Sequence, residues 1–241
     1  MSALRVFALV GALELACTGC SSSPDSSGGD AGDAAVSDAT VGGNYLPEGN
    51  PCTDSISAIY ADPGDVSAQP KGAILKCAHD QDLTADELLA AAKAPGDAGE
   101  TGYTGRAFTS GAHIYRVLYR TERGDQTLDG TPGYSSALVL LPDTPRAPRS
   151  PVVVASHGSR GQGPQCAASM LAPAAADVNG DFIHQVYPLV GFGYAVIAPD
   201  LAGYANFGAA GNPPSAYADT ADVGKSTLDG ARALRQLVPA A

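Results

Sequence analysis

The sequence predicts an α/β protein, an N-terminal antiparallel hairpin followed by parallel βαβ strands. Three stretches carry that expectation. In residues 113–120, Ile114, Arg116, Leu118 and Arg120 alternate with Tyr115, Val117 and Tyr119, the period-two pattern of a strand with one exposed face. Val152 to Ser156 is too uniformly apolar for a one-faced strand, so burial on both sides is expected, as in a parallel sheet. Residues 218–238 set Leu228, Ala231, Leu234 and Val238 on roughly one helical face, and Pro239 stops the helix.

The remaining elements fall between these. Residues 44–111 are rich in Pro and Gly and read as irregular, with one helix. It starts at the capping box Thr84-Ala-Asp-Glu87, whose side chains satisfy orphan amides, and ends at Pro95-Gly96. The strand at 113–120 leads through a Gly/Asp/Pro turn region, 124–133, into a second strand, 137–141, stopped by Pro142. After Val152 to Ser156 come a short helix, 181–190, ended by Gly191, and a buried strand, 194–198, ended by Pro199-Asp200. In such an array ligand chemistry belongs where strand C-termini meet loops.

Composition narrows the function classes. A net charge of −11 argues against nucleic acid and against an anionic membrane surface as partners. Residues 1–20 read as an export signal: one positive charge before Val6, an apolar run to Ala16 broken by Glu14, then Thr18-Gly19-Cys20. That ending is similar to a bacterial lipoprotein signal, with Cys20 as the lipidated residue; a plain secretory signal cut nearby is the alternative. Residues 21–43 are rich in Ser, Gly, Ala and Asp, with no aromatic residue, Lys or Arg, and read as a disordered tether. The expected organisation is therefore signal (1–20), tether (21–43), irregular segment (44–111) and α/β body (112–241). Localisation is exported, in the cell envelope or secreted, with membrane contact only through a lipid anchor.

Beyond the signal stand Cys52, Cys77 and Cys166. In an oxidising compartment Cys52 and Cys77 are expected to pair, which leaves Cys166 as a free thiol, an intermolecular bridge, or a sign that part of the protein is missing.

Several motifs carry no chemistry. Gly224-Lys225-Ser226-Thr227 resembles the end of a phosphate-binding loop, but Asp219 stands where the first glycine belongs and no strand leads in. Gly191-Phe-Gly193 precedes a strand instead of following one, so it is no dinucleotide fingerprint. His79 has no second ligand at metal-binding spacing, and His113 and His184 sit at amphipathic positions that suit structural roles. No metal or cofactor is expected.

His157-Gly158-Ser159 has the right context for a site. Glycine at the tip of a buried parallel strand lets the backbone turn sharply and aim amides at a developing oxyanion. The motifs Leu118-Tyr119-Arg120-Thr121, Leu138 to Pro142, Pro151 to Ser159, Gln165-Cys166-Ala-Ala-Ser169, Gly193 to Asp200 and Leu228 to Leu234 follow one another in order. Together they resemble the N-terminal half of secreted lipases and esterases of the α/β-hydrolase superfamily, over residues 106–241.

The resemblance implies an oxyanion-hole loop at His157, Gly158 and Ser159, with His157 buttressing the loop and Asp200 fixing the turn after its strand. It makes Cys166 similar to a family cysteine whose disulfide partner lies in a missing half. It implies a small-molecule ester or lipid as substrate. It also implies a nucleophile in a Gly-x-Ser-x-Gly elbow after the next strand, then an acid and a histidine. No such elbow occurs: Ser159 is flanked by His157 and Gly161, and Ser226 by Gly224 and Leu228. A catalytic Cys166 has no activating neighbour legible in the sequence. The expectation is thus a carboxylic ester hydrolase scaffold truncated before the nucleophile strand, with no catalytic residue of its own. Its competitor is a non-enzymatic envelope lipoprotein that uses the scaffold as a binding module.

Overall fold

The structure is a computed structural model that describes residues 52–95, 101–124, 129–146, 152–158, 166–170, 185–204, 213–216 and 219–238. Chain order runs α1 (Ile56–Ile59), β1 (Ile74–Leu83), α2 (Ala85–Lys93), β2 (Ala112–Glu122), β3 (Pro132–Pro142) and β4 (Val152–Val154). A 3-10 turn (Ala168–Met170), α3 (Tyr187–Gly191), β5 (Ala195–Pro199) and α4 (Thr220–Leu237) follow. The strands form one sheet in the order β1-β2-β3-β5-β4. β1, β2, β3 and β5 pair antiparallel in turn, whereas β4 and β5 are parallel. The hairpin β2–β3 and the parallel pair are those the sequence predicts. The signal, the tether and His184 lie outside the described residues.

The register of β3 explains the two cores. Leu138 and Leu140 join Ile114, Val196 and Ala198 under α2 and α3, with Leu88, Ala92, Tyr187 and Val190. Ala137, Val139 and Leu141 point the other way and pack with Val117, Tyr119 and Ile197 against Ala233, Leu234 and Leu237 of α4. One-residue alternation sends successive side chains to opposite layers, so both faces are covered. α2 starts as its capping box requires: the Glu87 amide donates to Thr84 Oγ1 at 3.3 Å and the Thr84 amide to Glu87 Oε2 at 2.8 Å. Gly193, at φ +86°, turns the chain from α3 into β5 where an L side chain would be strained.

Four expectations need correction. Residues 74–83, read as irregular, form β1, the outer partner of β2. Their alternation is masked by polar residues His79, Asp80, Gln81 and Asp82 and by shifts in register after Ile74 and His79. β2 is not half-exposed: Arg116 and Arg120 are both only 6% exposed, because the N-terminal segment covers their face. α4 buries Leu234 as expected but turns Leu228 outward. Leu228 is 61% exposed, while Asp222, Ser226 and Asp229 are buried with Ala233, Leu234 and Leu237. Polar residues face inward because β2 supplies their partners. Tyr119 donates to the Ser226 carbonyl at 2.9 Å, Thr121 to Asp229 at 2.8 Å and Arg123 to Asp222 at 2.9 Å. Finally, Val152–Val154 are only half-buried. β4 ends the sheet order, and among the described residues β5 alone flanks it.

The N-terminal segment is fastened to β1 at several points. Cys52 and Cys77 form a disulfide across 25 residues. Thr53 bridges to Ala78, the Cys77 amide donates to Asp54 at 2.8 Å, and Lys76 Nζ donates to the Ala58 carbonyl at 2.9 Å. Closing a loop of that size stabilises by about 3 kcal/mol, largely by restricting the unfolded chain. The double substitution Cys52→Ser/Cys77→Ser should lose roughly that amount in urea unfolding; an unchanged midpoint would contradict it. No helix among the described residues is long and apolar enough to cross a membrane.

Candidate active site

β4 and β5 run parallel, so the loops that follow them emerge on the same edge of the sheet. His157 lies in the first loop, and Asp200, Leu201 and Tyr204 lie in the second. The imidazole spans the two. Its Nδ1 is 2.7 Å from the Gly158 carbonyl and its Nε2 is 3.4 Å from the Asp200 carbonyl. Its ring meets Tyr204 edge to face at 5.6 Å. His157 thus holds the glycine turn against the neighbouring loop, and both contacts are to carbonyl oxygens. Gly158 is exposed. Ser159, the remaining residue of the expected oxyanion loop, lies outside the described residues.

Asp200 is fully buried at the end of β5. One carboxylate oxygen accepts the Ser169 amide at 2.7 Å. The other accepts the Ser136 hydroxyl at 2.6 Å and the Ser169 hydroxyl in a short contact. The Asp200 amide donates to the Ser136 carbonyl at 2.9 Å. Burial raises the carboxyl above its ordinary range, although the bonds from Ser136 and Ser169 pull the other way. The next residue, Leu201, has φ +73°, an uncommon conformation for a residue with a side chain. Such a residue costs about 1–3 kcal/mol and persists where its surroundings hold it. Here Asp200 anchors one side, and Ala202 and Tyr204 are buried on the other.

Ser169 extends the network away from the sheet edge. Its carbonyl accepts Tyr60 Oη at 2.7 Å and Arg116 Nη1 at 2.6 Å. Arg116 also donates to Tyr60 Oη at 3.2 Å and, through Nε, to Asp80 at 2.9 Å. Burial, followed by the charge of Asp200, pushes the Tyr60 phenol up. The sequence reading missed Tyr60, Asp80, Ser136 and Ser169. One signal was available: two arginines alternating with apolar residues in a strand can mark a buried ion pair as readily as a wet face.

Other candidate groups stay apart from this edge. Cys166 is buried and disulfide-bonded, so it offers no thiol for a nucleophile. Residues 224–227 lie within α4, where Lys225 reaches the Arg123 carbonyl at 3.1 Å; no phosphate loop forms there. His79 Nε2 and His113 Nδ1 both meet Asp82 Oδ1, at 2.9 and 2.7 Å, and His113 Nε2 meets Asp143 at 3.1 Å. Burial works upward on the Asp82 carboxyl, but these histidine bonds outweigh it and leave the group below its ordinary range. Among the described residues no group of three such side chains could hold a metal ion.

No protein-family model and no curated protein matches the sequence. Solved structures do. Lipase A from Candida antarctica, in its closed state, superimposes with a TM-score of 0.50 at 20% identity, over 81% of this chain and 38% of the lipase. This chain carries part of the α/β-hydrolase fold. A ligand-bound form of the rice cell wall degrading esterase LipA from Xanthomonas oryzae matches at 18% identity and TM-score 0.47, over 70% of this chain and 38% of the esterase. A putative hydrolase from Legionella pneumophila matches at 14% identity and TM-score 0.49, over 68% and 39%. The chain therefore spans about 38% of the length of the hydrolases it resembles.

Proposed function

We propose that this chain supplies the oxyanion side of a carboxylic ester hydrolase of the lipase or esterase type. In this reading a further strand, lying beside β4, carries the attacking serine. The observation behind it is the placement of the His157-Gly158 turn at the tip of β4, braced by the Asp200 loop. β4 presents a free side among the described residues, and the hydrolases it resembles are more than twice as long as the part that this chain covers.

The chemistry follows from that placement. The serine oxygen adds to the ester carbonyl as its proton passes to a histidine base, and the carbonyl oxygen becomes an anion. Amides of the loop after His157 meet that anion with little reorganisation, which favours the tetrahedral intermediate. Collapse of the intermediate expels the alcohol, which takes the proton from the histidine; water then releases the acid by the same steps. His157 acts in this scheme by bracing the loop. The substrate is a small ester or lipid, and export with lipidation at Cys20 would place the enzyme at the cell envelope.

A fluorophosphonate probe tests the reading. This chain alone should remain unlabelled. The polypeptide extended by a strand, a Gly-x-Ser-x-Gly elbow and the acid and histidine that follow it should be labelled on that serine and should hydrolyse a p-nitrophenyl ester. Labelling of a serine within residues 1–241, or an extended protein that never labels, would overturn it.

A further inference from the structure

We propose that Tyr60, in the segment that precedes β1, is a positioning residue for the His157 loop. This rests on the reading of His157-Gly158 as the oxyanion loop, and it assigns the segment around α1 a part in the site.

The path is short and made of named bonds. Tyr60 Oη donates to the Ser169 carbonyl at 2.7 Å and lies 3.0 Å from Ser169 Oγ. Ser169 in turn gives both its amide and its hydroxyl to Asp200. The backbone carbonyl of Asp200 faces His157 Nε2. Tyr60 therefore fixes the 3-10 turn Ala168–Met170, that turn fixes Asp200, and Asp200 fixes the loop on which the imidazole rests. Ser169 is fully buried, so a phenol that left would leave its carbonyl to Arg116 Nη1 alone, with one of two donors lost.

Tyr60 is itself held from behind. It is the C-terminal cap of α1; the Ala58 carbonyl within that helix and the Ala61 carbonyl just after the cap accept Lys76 Nζ from β1. The Cys52–Cys77 disulfide ties the start of the same segment to that strand. Arg116 adds a donor to Tyr60 Oη and is anchored by Asp80 on β1. A segment that only covered the sheet would need none of these polar contacts; Ile59, Val66 and Leu118 already supply an apolar interface. The hydroxyl at residue 60 is what joins that cover to the site.

Tyr60→Phe removes the hydroxyl and keeps the ring. In the whole chain, amide exchange at Ser169 should rise roughly fivefold to tenfold, the scale of one net hydrogen bond. The His157 ring resonances should shift, while amides of β2 and β3 stay within about twofold, because a local opening is separate from global unfolding. Ile59→Val serves as a second variant: it loosens the same helix by one methyl group and should leave the His157 resonances in place. Unmoved Ser169 and His157 signals in Tyr60→Phe would overturn the proposal. So would a uniform rise across β2 and β3, or the same His157 shift in Ile59→Val. These readouts need no ester hydrolysis, so they stand or fall separately from fluorophosphonate labelling. In an extended, active protein Tyr60→Phe should lower kcat and leave KM unchanged.

Discussion

Replacing Arg123 with alanine should cost the chain about 3–5 kcal/mol of folding stability, the scale for removing one partner of a buried ion pair. Arg123 is completely buried and Asp222 is only 3% exposed. The guanidinium grips the carboxylate in a fork, Nε to Oδ1 at 2.9 Å and Nη2 to Oδ2 at 3.1 Å. Its remaining donors reach the Pro213 carbonyl at 2.6 Å and the Pro214 carbonyl at 2.9 Å. The Gly124 amide completes the carboxylate at 2.7 Å. One side chain thus joins the end of β2, the first turn of α4 and residues 213–214. Without it, Asp222 is left charged in the core with a single donor, and two carbonyls lose their partners.

Lysine should not rescue this site, since a point-like ammonium cannot reproduce the planar fork. Arg123→Met with Asp222→Leu should recover much of the loss, because removing both charges avoids the stranded carboxylate. For a domain whose total stability lies in the usual range of roughly 5–15 kcal/mol, the single substitution alone approaches unfolding. Urea unfolding monitored by circular dichroism measures it. A loss under about 1 kcal/mol would show that the pair is exposed or replaceable.

At Asp200 the size of the effect should depend on shape more than on charge. Asp200→Ala leaves the buried Ser169 amide without its acceptor and frees the Ser136 and Ser169 hydroxyls. The expected loss is about 2–4 kcal/mol, because each unsatisfied buried group costs roughly 1–3 kcal/mol and hydroxyls can turn elsewhere. Asp200→Asn keeps a carbonyl for the Ser169 amide, and its NH₂ can donate to the two hydroxyl oxygens. It should cost less than about 1 kcal/mol by the same scale.

The pH dependence has a definite sign. Burial raises the folded-state value of Asp200 above its unfolded value. Its contribution is therefore full below the ordinary carboxylate value of about 4 and is lost as pH rises through the raised folded value. Stability of the native chain relative to Asp200→Asn should accordingly fall as pH is raised from about 4 toward neutrality. Urea midpoints of the two proteins across that range test this. A relative stability that grows with pH would reverse the sign and mean that the carboxylate is preferred inside.

How far the sequence reached is clearest on β2. Its apolar positions announced a strand, and the run Val152 to Ser156 announced a parallel partner. The capping box at Thr84 placed the start of α2 correctly. Periodicity failed wherever the interior is polar. Tyr119 and Thr121 of β2, with Arg123 just after it, meet Asp222, Ser226 and Asp229 of α4, so the first half of that helix's buried side looks hydrophilic while Leu228 is exposed. β1 was hidden in part for the same reason, with Asp80 paired to the buried Arg116, and in part because His79 and Asp82 are exposed polar residues beside a shift in its register. Within the candidate site, Gly158 was legible because a sharp turn after a buried strand leaves a glycine as its mark, whereas His157 and Asp200 were singled out only through the resemblance to α/β-hydrolases. Tyr60 and Ser169 were not. Their hydrogen bonds span 109 residues, and nothing in either neighbourhood encodes the other.

The central claim is that β4 is a join, awaiting the strand that carries the serine. Its register makes this measurable at one amide. The Ala155 amide donates to the Ile197 carbonyl at 2.9 Å, so alternation turns the Val154 N–H away from β5 and toward the other side of β4. In this chain the Val154 amide should exchange at nearly the rate of an open amide while Ala155 is protected, and Val154 should become protected in the extended polypeptide. Strong protection of Val154 in the 241-residue chain alone would mean that the position beside β4 is already filled, and the reading of the chain as one side of a hydrolase site would fail.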